Sequence, residues 1–120
     1  MFTPNETLSA EQWVRVCWME QIGRVFLTGP LEVEVEITVQ VPSSWRGEKV
    51  KKAMAGKLMP TGKPDLDNTA KLLLDALNGI AWRDDAQVVG LKVSKRYGSE
   101  PETLIRVKPL SEPDAVALML

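Results

Sequence analysis

The sequence predicts a small α/β (α+β) fold, a mixed β-sheet with helices packed on one face. Three observations predict it. Residues 30–42, PLEVEVEITVQVP, alternate apolar and polar side chains at the period of a strand. Residues 65–80, DLDNTAKLLLDALNGI, gather Leu66, Ala70, Leu73, Leu74 and Leu77 into one arc at about 100° per residue, the mark of an amphipathic helix. Elements of both kinds follow one another along 120 residues without a linker, repeat or low-complexity tract, so a single domain over 1–120 is expected.

The first element is a helix within LSAEQWVRVCWMEQIG, with Ser9 as its cap, Gln12 completing a capping box and Gly23 following its end. Val14, Cys17 and Trp18 recur on it at helical spacing. The strand comes next, with Leu31, Val33, Val35, Ile37, Val39 and Val41 on one face and Glu32, Glu34, Glu36, Thr38 and Gln40 on the other. Three glutamates in a row on one face read as a solvated strand surface rather than a metal site. SSWRGEKVKKAMAGKL is expected to form a short basic helix, or a helix and loop, ended by Pro60 and Gly62. The main helix follows, with Gly79 where a C-terminal cap belongs and Asp67, Lys71, Asp75 and Asn78 on its polar side. AQVVGLKVSKRY predicts a strand, GSEP a turn, and ETLIRVKP another strand. The tail, SEPDAVALML, is expected to form a short helix or to dock loosely.

What the chain lacks narrows its chemistry. With no histidine there is no Ser-His-Asp triad, no histidine base and no histidine-ligated metal. The single cysteine, Cys17, builds neither a disulfide framework nor a structural zinc site and suits a reducing, cytoplasmic setting. It sits among helical apolar positions, so it reads as a packing residue. Walker A and GxGxxG loops are missing. No apolar run is long enough to span a bilayer, and MFTPNETLSAEQW has no signal-peptide core. Catalysis would rest on carboxylates, lysine, hydroxyls or a hard cation held by oxygen ligands.

A net charge of −1 gives no overall support for binding nucleic acid, but the charges are unevenly placed. Residues 1–40 are rich in glutamate. Arg46, Lys49, Lys51, Lys52, Lys57 and Lys63 then arrive against Glu48 alone, and Arg83, Lys92, Lys95, Arg96, Arg106 and Lys108 form a second basic set. This pattern is compatible with an acidic back and a basic working face.

KPDLDNTAK, residues 63–71, places Asp65 and Asp67 two apart, then Asn68 and Lys71. Helix capping by Asp65, the helix dipole and an i,i+4 ion pair between Asp67 and Lys71 explain the stretch without any chemistry. WRDDAQVV adds a second acidic pair, Asp84 and Asp85, after the helix, and a turn accounts for it equally well. A helix of about fifteen residues spans about 22 Å, so the two pairs meet only if the chain runs back along it. If they do, the like charges of Asp65, Asp67 and Asp85 need a compensating cation. Oxygen donors of this kind select Mg²⁺ or Mn²⁺, and such a cation together with the Lys71 ammonium can support hydrolysis of a phosphodiester.

PDLDN, then Lys71, LDALNG, DDAQVV and KRYG in this order resemble the RusA family of Holliday junction resolvases, with the match strongest over residues 60–98. The resemblance implies a Mg²⁺-dependent endonuclease, bacterial and often prophage- or phage-encoded, that nicks four-way DNA junctions in pairs as a homodimer. It implies that Asp65, Asp67 and Asp85 are the essential carboxylates and metal ligands, that Lys71 is the catalytic lysine, and that Asn68 and Asp84 support them. It also implies that Asp85 lies near the start of the helix. Members of the family open on a strand and a loop before their first helix, whereas this sequence reaches that helix almost at once, so either its start is placed too late or a segment is absent, and loss of a strand would expose a sheet edge.

Among the remaining features, Trp13 and Trp18 read as packing residues. Trp45, beside Arg46, is the better aromatic for contact with DNA, and Trp82 is placed to wall the acidic site. The phosphate contacts expected are Arg46, Lys49, Lys51 and Lys52 from the first basic stretch. Lys63, Arg83, Lys95 and Arg96 are expected to add to them from around the acidic pairs. A non-cleaving protein that binds junctions or a partner is the alternative, and a D-x-D phosphotransfer enzyme acting on a small nucleotide is a third reading.

Overall fold

The computed structural model describes residues 8–111 and 113–120. Its elements in chain order are α1 (Ala10–Gln21), β1 (Leu31–Gln40), α2 (Glu48–Met54), α3 (Leu66–Leu77), β2 (Val88–Gly98), β3 (Glu102–Pro109) and β4 (Val116–Met119). They make the expected α+β layer: one four-stranded mixed sheet, in the order β2-β1-β3-β4, with helices on one face. The chain entry before residue 8, where the resemblance implied a missing strand, lies outside the described residues.

Each element follows from its local sequence. Ser9 caps α1 through a complete capping box, with its Oγ accepting from the Gln12 amide and Gln12 Oε1 accepting from the Ser9 amide. β1 buries Leu31, Val33, Val35 and Ile37 and turns Glu32, Glu34 and Glu36 outward, as its alternation requires. Asn78 ends α3, and Gly79 follows at φ +79°, a conformation glycine adopts without steric cost. The tail departs from expectation. VALM alternates, and β4 pairs antiparallel to β3, matching Leu104 with Met119 and Val107 with Val116. Four residues of strand therefore replace the short helix or loose end, because β3 offered an open row of backbone groups.

The core lies between β1, β3 and the buried faces of α1 and α3. Trp18, Trp82, Leu31, Leu77 and Ile105 are among its fully buried side chains. β1 and β2 run parallel, so the chain must cross from the end of one to the start of the other, and α2 and α3 occupy that crossover. α3 thus spans the length of the sheet, with one end near each end of β2.

Among the described residues the other face of the sheet carries no helix. Register places Glu34 between Lys92 on β2 and Arg106 on β3, and Glu32 opposite Lys108. The expected separation of an acidic back from a basic face does not hold there: columns of opposite charge interleave. Arg106 Nη1 donates to Glu34 at 2.9 Å and to Glu36 at 3.0 Å, tying β1 to β3. That hydrogen bond, aided by the Arg106 charge and opposed by burial, holds the Glu36 carboxyl below its ordinary value of 4.5.

Two predictions follow for stability. Leu77→Ala leaves a cavity in the core and lowers the unfolding free energy by about 2–5 kcal/mol, read as a shift of the urea midpoint. Because the Glu36 carboxyl is depressed in the folded state, its contribution is present above its unfolded pKa and is lost as pH falls through the lower folded value. Arg106→Met is therefore destabilising at pH 7, and its deficit against wild type shrinks as unfolding is repeated at pH 4 and below.

Candidate active site

The two acidic pairs flank α3, and each is held by its own local structure. Asp65 occupies the N-cap position of α3, but its side chain makes no capping hydrogen bond. Its Oδ2 instead accepts from Lys63 Nζ at 2.8 Å and from Asn68 Nδ2 at 3.4 Å. The Lys63 ammonium, through this bond and its charge and with help from Lys95, holds the Asp65 carboxyl below its ordinary value against a small cost of burial. Capping does not explain this aspartate. Nor does an ion pair explain its neighbours: Asp67 and Lys71 are both exposed, and none of the salt bridges among the described residues joins them. The carboxylate and the ammonium both face solvent at the start of α3.

Lys95 fixes this end of the molecule. Its Nζ donates to the carbonyl of Gly62 and, at 3.0 Å, to that of Pro64, which fastens the loop before Asp65 to β2. The Lys63–Pro64 peptide in that loop is cis. Two residues on, Tyr97 meets Trp45 edge-on at 5.2 Å between ring centroids, and Lys49 Nζ lies 4.1 Å over the Trp45 ring. The basic helix α2 is thereby seated on the same end of β2 as Asp65. Lys49, Lys51 and Lys52 are exposed, and so is Arg46, whose guanidinium donates to the carbonyls of Ser43 and Trp45. Trp45 is half-buried between Tyr97 and Lys49, a support for the basic helix more than a free platform for a base.

Asp85 is built at the opposite end of α3. Its amide donates to Asn78 Oδ1 at 2.9 Å, and its own Oδ1 accepts from Trp82 Nε1 at 2.8 Å. Trp82 is fully buried, so this carboxylate is locked to the core. Asp84 caps the short 3-10 turn Asp85–Gln87 in a capping box with Gln87. Gln87 Nε2 in turn donates to the carbonyls of Leu27 and Gly29. Thirteen residues of helical rise separate Asp65 from Asn78, about 20 Å. Within one chain the structure therefore brings Asp65, Asp67 and Lys71 together and leaves Asp85 with Arg83 at the far end. Among the described residues no group of three acidic, histidine or cysteine side chains is placed to hold a metal.

Several of these roles escaped the sequence reading. Asn78, placed on the polar side of the helix with Asp67 and Lys71, is its last cap and positions Asp85. Its signal was the Asn-Gly pair ending an apolar run a few residues before an acidic turn. Lys63 and Lys95, expected at phosphates, organise the Asp65 loop. Arg96 stands on the open sheet face, where its charge reaches Glu36.

The model of the family described as Endodeoxyribonuclease RusA matches residues 1–108. The chain belongs to the RusA family. It is also 37% identical, over 113 residues, to the uncharacterized protein YqaN of Bacillus subtilis (strain 168), an alignment that takes in 92% of this chain and 80% of that protein. The match runs through both acidic pairs and the basic helix between β1 and α3. No helix among the described residues is long and apolar enough to cross a membrane.

The two ends of α3 can be tested separately. Asn78→Ala removes the acceptor for the Asp85 amide and costs about 1 kcal/mol of stability. Asp85→Leu strands the buried Trp82 indole N–H and costs about 1–3 kcal/mol, whereas Asp85→Asn keeps an acceptor and stays near wild type. Thermal unfolding of the three variants checks this order.

Proposed function

We propose that this protein is a Mg²⁺-dependent endodeoxyribonuclease that resolves four-way DNA junctions by paired nicks in recombination and repair. It acts as a homodimer in which each active site is shared between the two subunits. Mn²⁺ is expected to substitute for Mg²⁺, and a cytoplasmic, prophage- or phage-encoded enzyme fits the family. The observation that carries the shared site is the separation of the carboxylates. Asp67 is exposed and Asp65 half-exposed at one end of α3 beside a basic helix, Asp85 is rigidly presented about 20 Å away, and all three are carried by the segment that matches a nuclease family. A second copy that sets its Asp85 beside Asp65 and Asp67 completes the set.

The donors suit the metal. Mg²⁺ takes one or two carboxylates, keeps several waters and uses phosphate oxygens of its substrate, and the half-exposed Asp65 and exposed Asp67 offer two such carboxylates. When bound there, the cation would polarise the scissile phosphate and make water acidic enough to attack it. The remaining work falls to the chain. Asp65, kept ionised by Lys63, and Asp67 hold negative charge toward the cation site. Asp85 of the second copy closes the set from the other side, its direction fixed by Trp82 and Asn78. Lys71, one turn beyond Asp67, offsets the negative charge that builds on the phosphate as water adds to phosphorus and the bond to the leaving oxygen breaks. Arg46, Lys49, Lys51 and Lys52 position the backbone of the DNA, so recognition rests on junction shape and phosphate spacing.

A non-cleaving junction-binding protein is the second reading, favoured by the lack of a three-acid group among the described residues of one chain. Subunit mixing decides between them. Asp67→Asn and Asp85→Asn homodimers should each fail to nick a synthetic four-way junction in Mg²⁺ while still binding it. After mixing and exchange, the mixed dimer holds one site with every carboxylate intact, and single nicks should return. Sites confined to one chain would leave the mixture dead, and a wild type that fails to cleave with any divalent ion would leave only the binding protein. Replacing Lys51 and Lys52 with Gln should weaken junction binding and flatten its dependence on salt by about two units of slope, seen in a titration from 50 to 200 mM salt.

A further inference from the structure

Among the described residues Phe26, 51% accessible, is the one exposed aromatic: Trp18 and Trp82 lie in the core, Trp13 packs against it, and Trp45 and Tyr97 pack on each other. A ring left in water forgoes the burial that makes phenylalanine a core residue, so its surroundings matter. Phe26 stands between α1 and β1, against the turn that carries Asp85. The Leu27 amide donates to the Ala81 carbonyl at 2.7 Å, and Gln87 Nε2 donates to the carbonyls of Leu27 and Gly29 at 3.2 and 3.0 Å. The same turn holds Asp85 through Trp82 and Asn78. One hydrogen-bonded frame therefore carries both residues, and the backbone under the ring keeps a fixed place relative to the carboxylate.

An open groove of about 470 Å³ runs along this frame, lined by Phe26, Thr28 and Gly29 from the segment before β1 and by Arg83, Asp84 and Gln87 from the turn. Its size falls within the roughly 300–1,000 Å³ of ordinary small-ligand sites. Arg83 is exposed, and none of the salt bridges among the described residues takes its guanidinium. The groove thus sets a flat apolar face beside an unpaired cation, a hydroxyl and an amide. That mixture suits a nucleobase on its phosphate backbone. We propose that Phe26 is a base-stacking residue: its ring takes one face of a base at the branch point of the junction, with Arg83 on the adjoining phosphate, and the contact selects branched DNA over duplex.

The selection follows from where a base face is cheapest to expose. In a duplex each base is stacked on both faces, so offering one to a side chain costs unstacking. At a four-way branch point the run of stacked bases is interrupted, and the base beside the interruption gives up a face at lower cost. Stacking is tolerant of sequence, because every base has a π-face. Phe26 therefore reads the branch and not the base. Because its backbone shares a frame with Asp85, the base it holds decides which phosphate lies at the carboxylates. The inference rests on the reading of Asp85 as a site carboxylate and names what brings the branch point to it.

Binding of a synthetic junction and of duplex DNA tests this, measured with Mg²⁺ in an Asp67→Asn parent so that no strand is cut. Phe26→Leu keeps an apolar side chain without a flat face, and Phe26→Tyr keeps the face. Phe26→Leu should weaken junction binding by on the order of tenfold and leave duplex binding within about twofold, whereas Phe26→Tyr should bind both like the parent. A fluorescent aminopurine base at the branch point should brighten when the saturating parent unstacks it, and stay dim under saturating Phe26→Leu. Both variants should unfold and sediment as the parent does. Phe26→Leu that binds the junction like the parent, or weakens junction and duplex binding equally, overturns the stacking role. Altered sedimentation of Phe26→Leu overturns it too, since the ring then serves contact between copies. If the parent binds the junction no tighter than duplex, the junction-resolving function itself fails and the stacking role with it. If the parent prefers the junction and Phe26→Leu prefers it equally, the stacking role alone is lost.

Discussion

Helix α3 is the rigid spacer on which the geometry of this protein depends. Its buried side, with Ala70, Leu73, Ala76 and Leu77, is held by the sheet and α1, so its length and direction are set by core packing. Chemistry is attached only at its ends. At the first end Asp65, Asp67 and Lys71 project from the opening turns, and at the last Asn78 receives the turn that carries Asp85. A helix cannot be compressed, so the distance between the acidic pairs is as fixed as the core itself. The separation of the two acidic pairs within one chain is a direct result of that stiffness.

Each end is tuned by a different kind of force. The Asp65 end is electrostatic: Lys63 compensates the carboxylate, Lys95 holds the loop by its carbonyls, and α2 adds cations within reach of the same surface. The Asp85 end is steric and hydrogen-bonded: a buried indole and an amide fix one carboxylate, and Gln87 ties the turn to the segment before β1. An exposed, solvated end thus stands across α3 from a preorganised end held by the core.

How legible this was in the sequence follows the range of the interactions. α1 with its capping box, β1 with its alternation and α3 with its glycine cap are local patterns, and all three appear where the sequence predicts them. β4 was missed because a strand of four residues exists only by pairing with β3, which no local pattern records. In the site, the residues of KPDLDNTAK and DDAQVV could be picked out by type and order. What could not be read was that Asp65 forgoes capping for Lys63, that Asp67 and Lys71 stay unpaired with each other, or that Asp85 answers to Asn78. Those are choices among competing hydrogen bonds, decided by where β2 lies. The nearness of Asp85 to the helix start, implied by family resemblance, does not arise within one chain, since α3 stands between them.

The net charge of −1 looked hard to reconcile with a DNA-cleaving enzyme, and the sheet shows how the two coexist. Glu34 and Glu36 share Arg106, while Glu32 and Glu34 are flanked in register by Lys108 and Lys92, so much of the acidic charge of β1 is answered on its own face. Among the described residues the cations of α2 have no such partners beyond Lys51 with Glu48, a surface pair worth little in water. The local field at the start of α3 is therefore more positive than the whole-chain sum suggests, and screening at physiological salt acts over about 8 Å, which insulates that end from acids elsewhere. For a protein of this size, the sign of the charge within one screening length of a surface matters more to what binds there than the sign of the total.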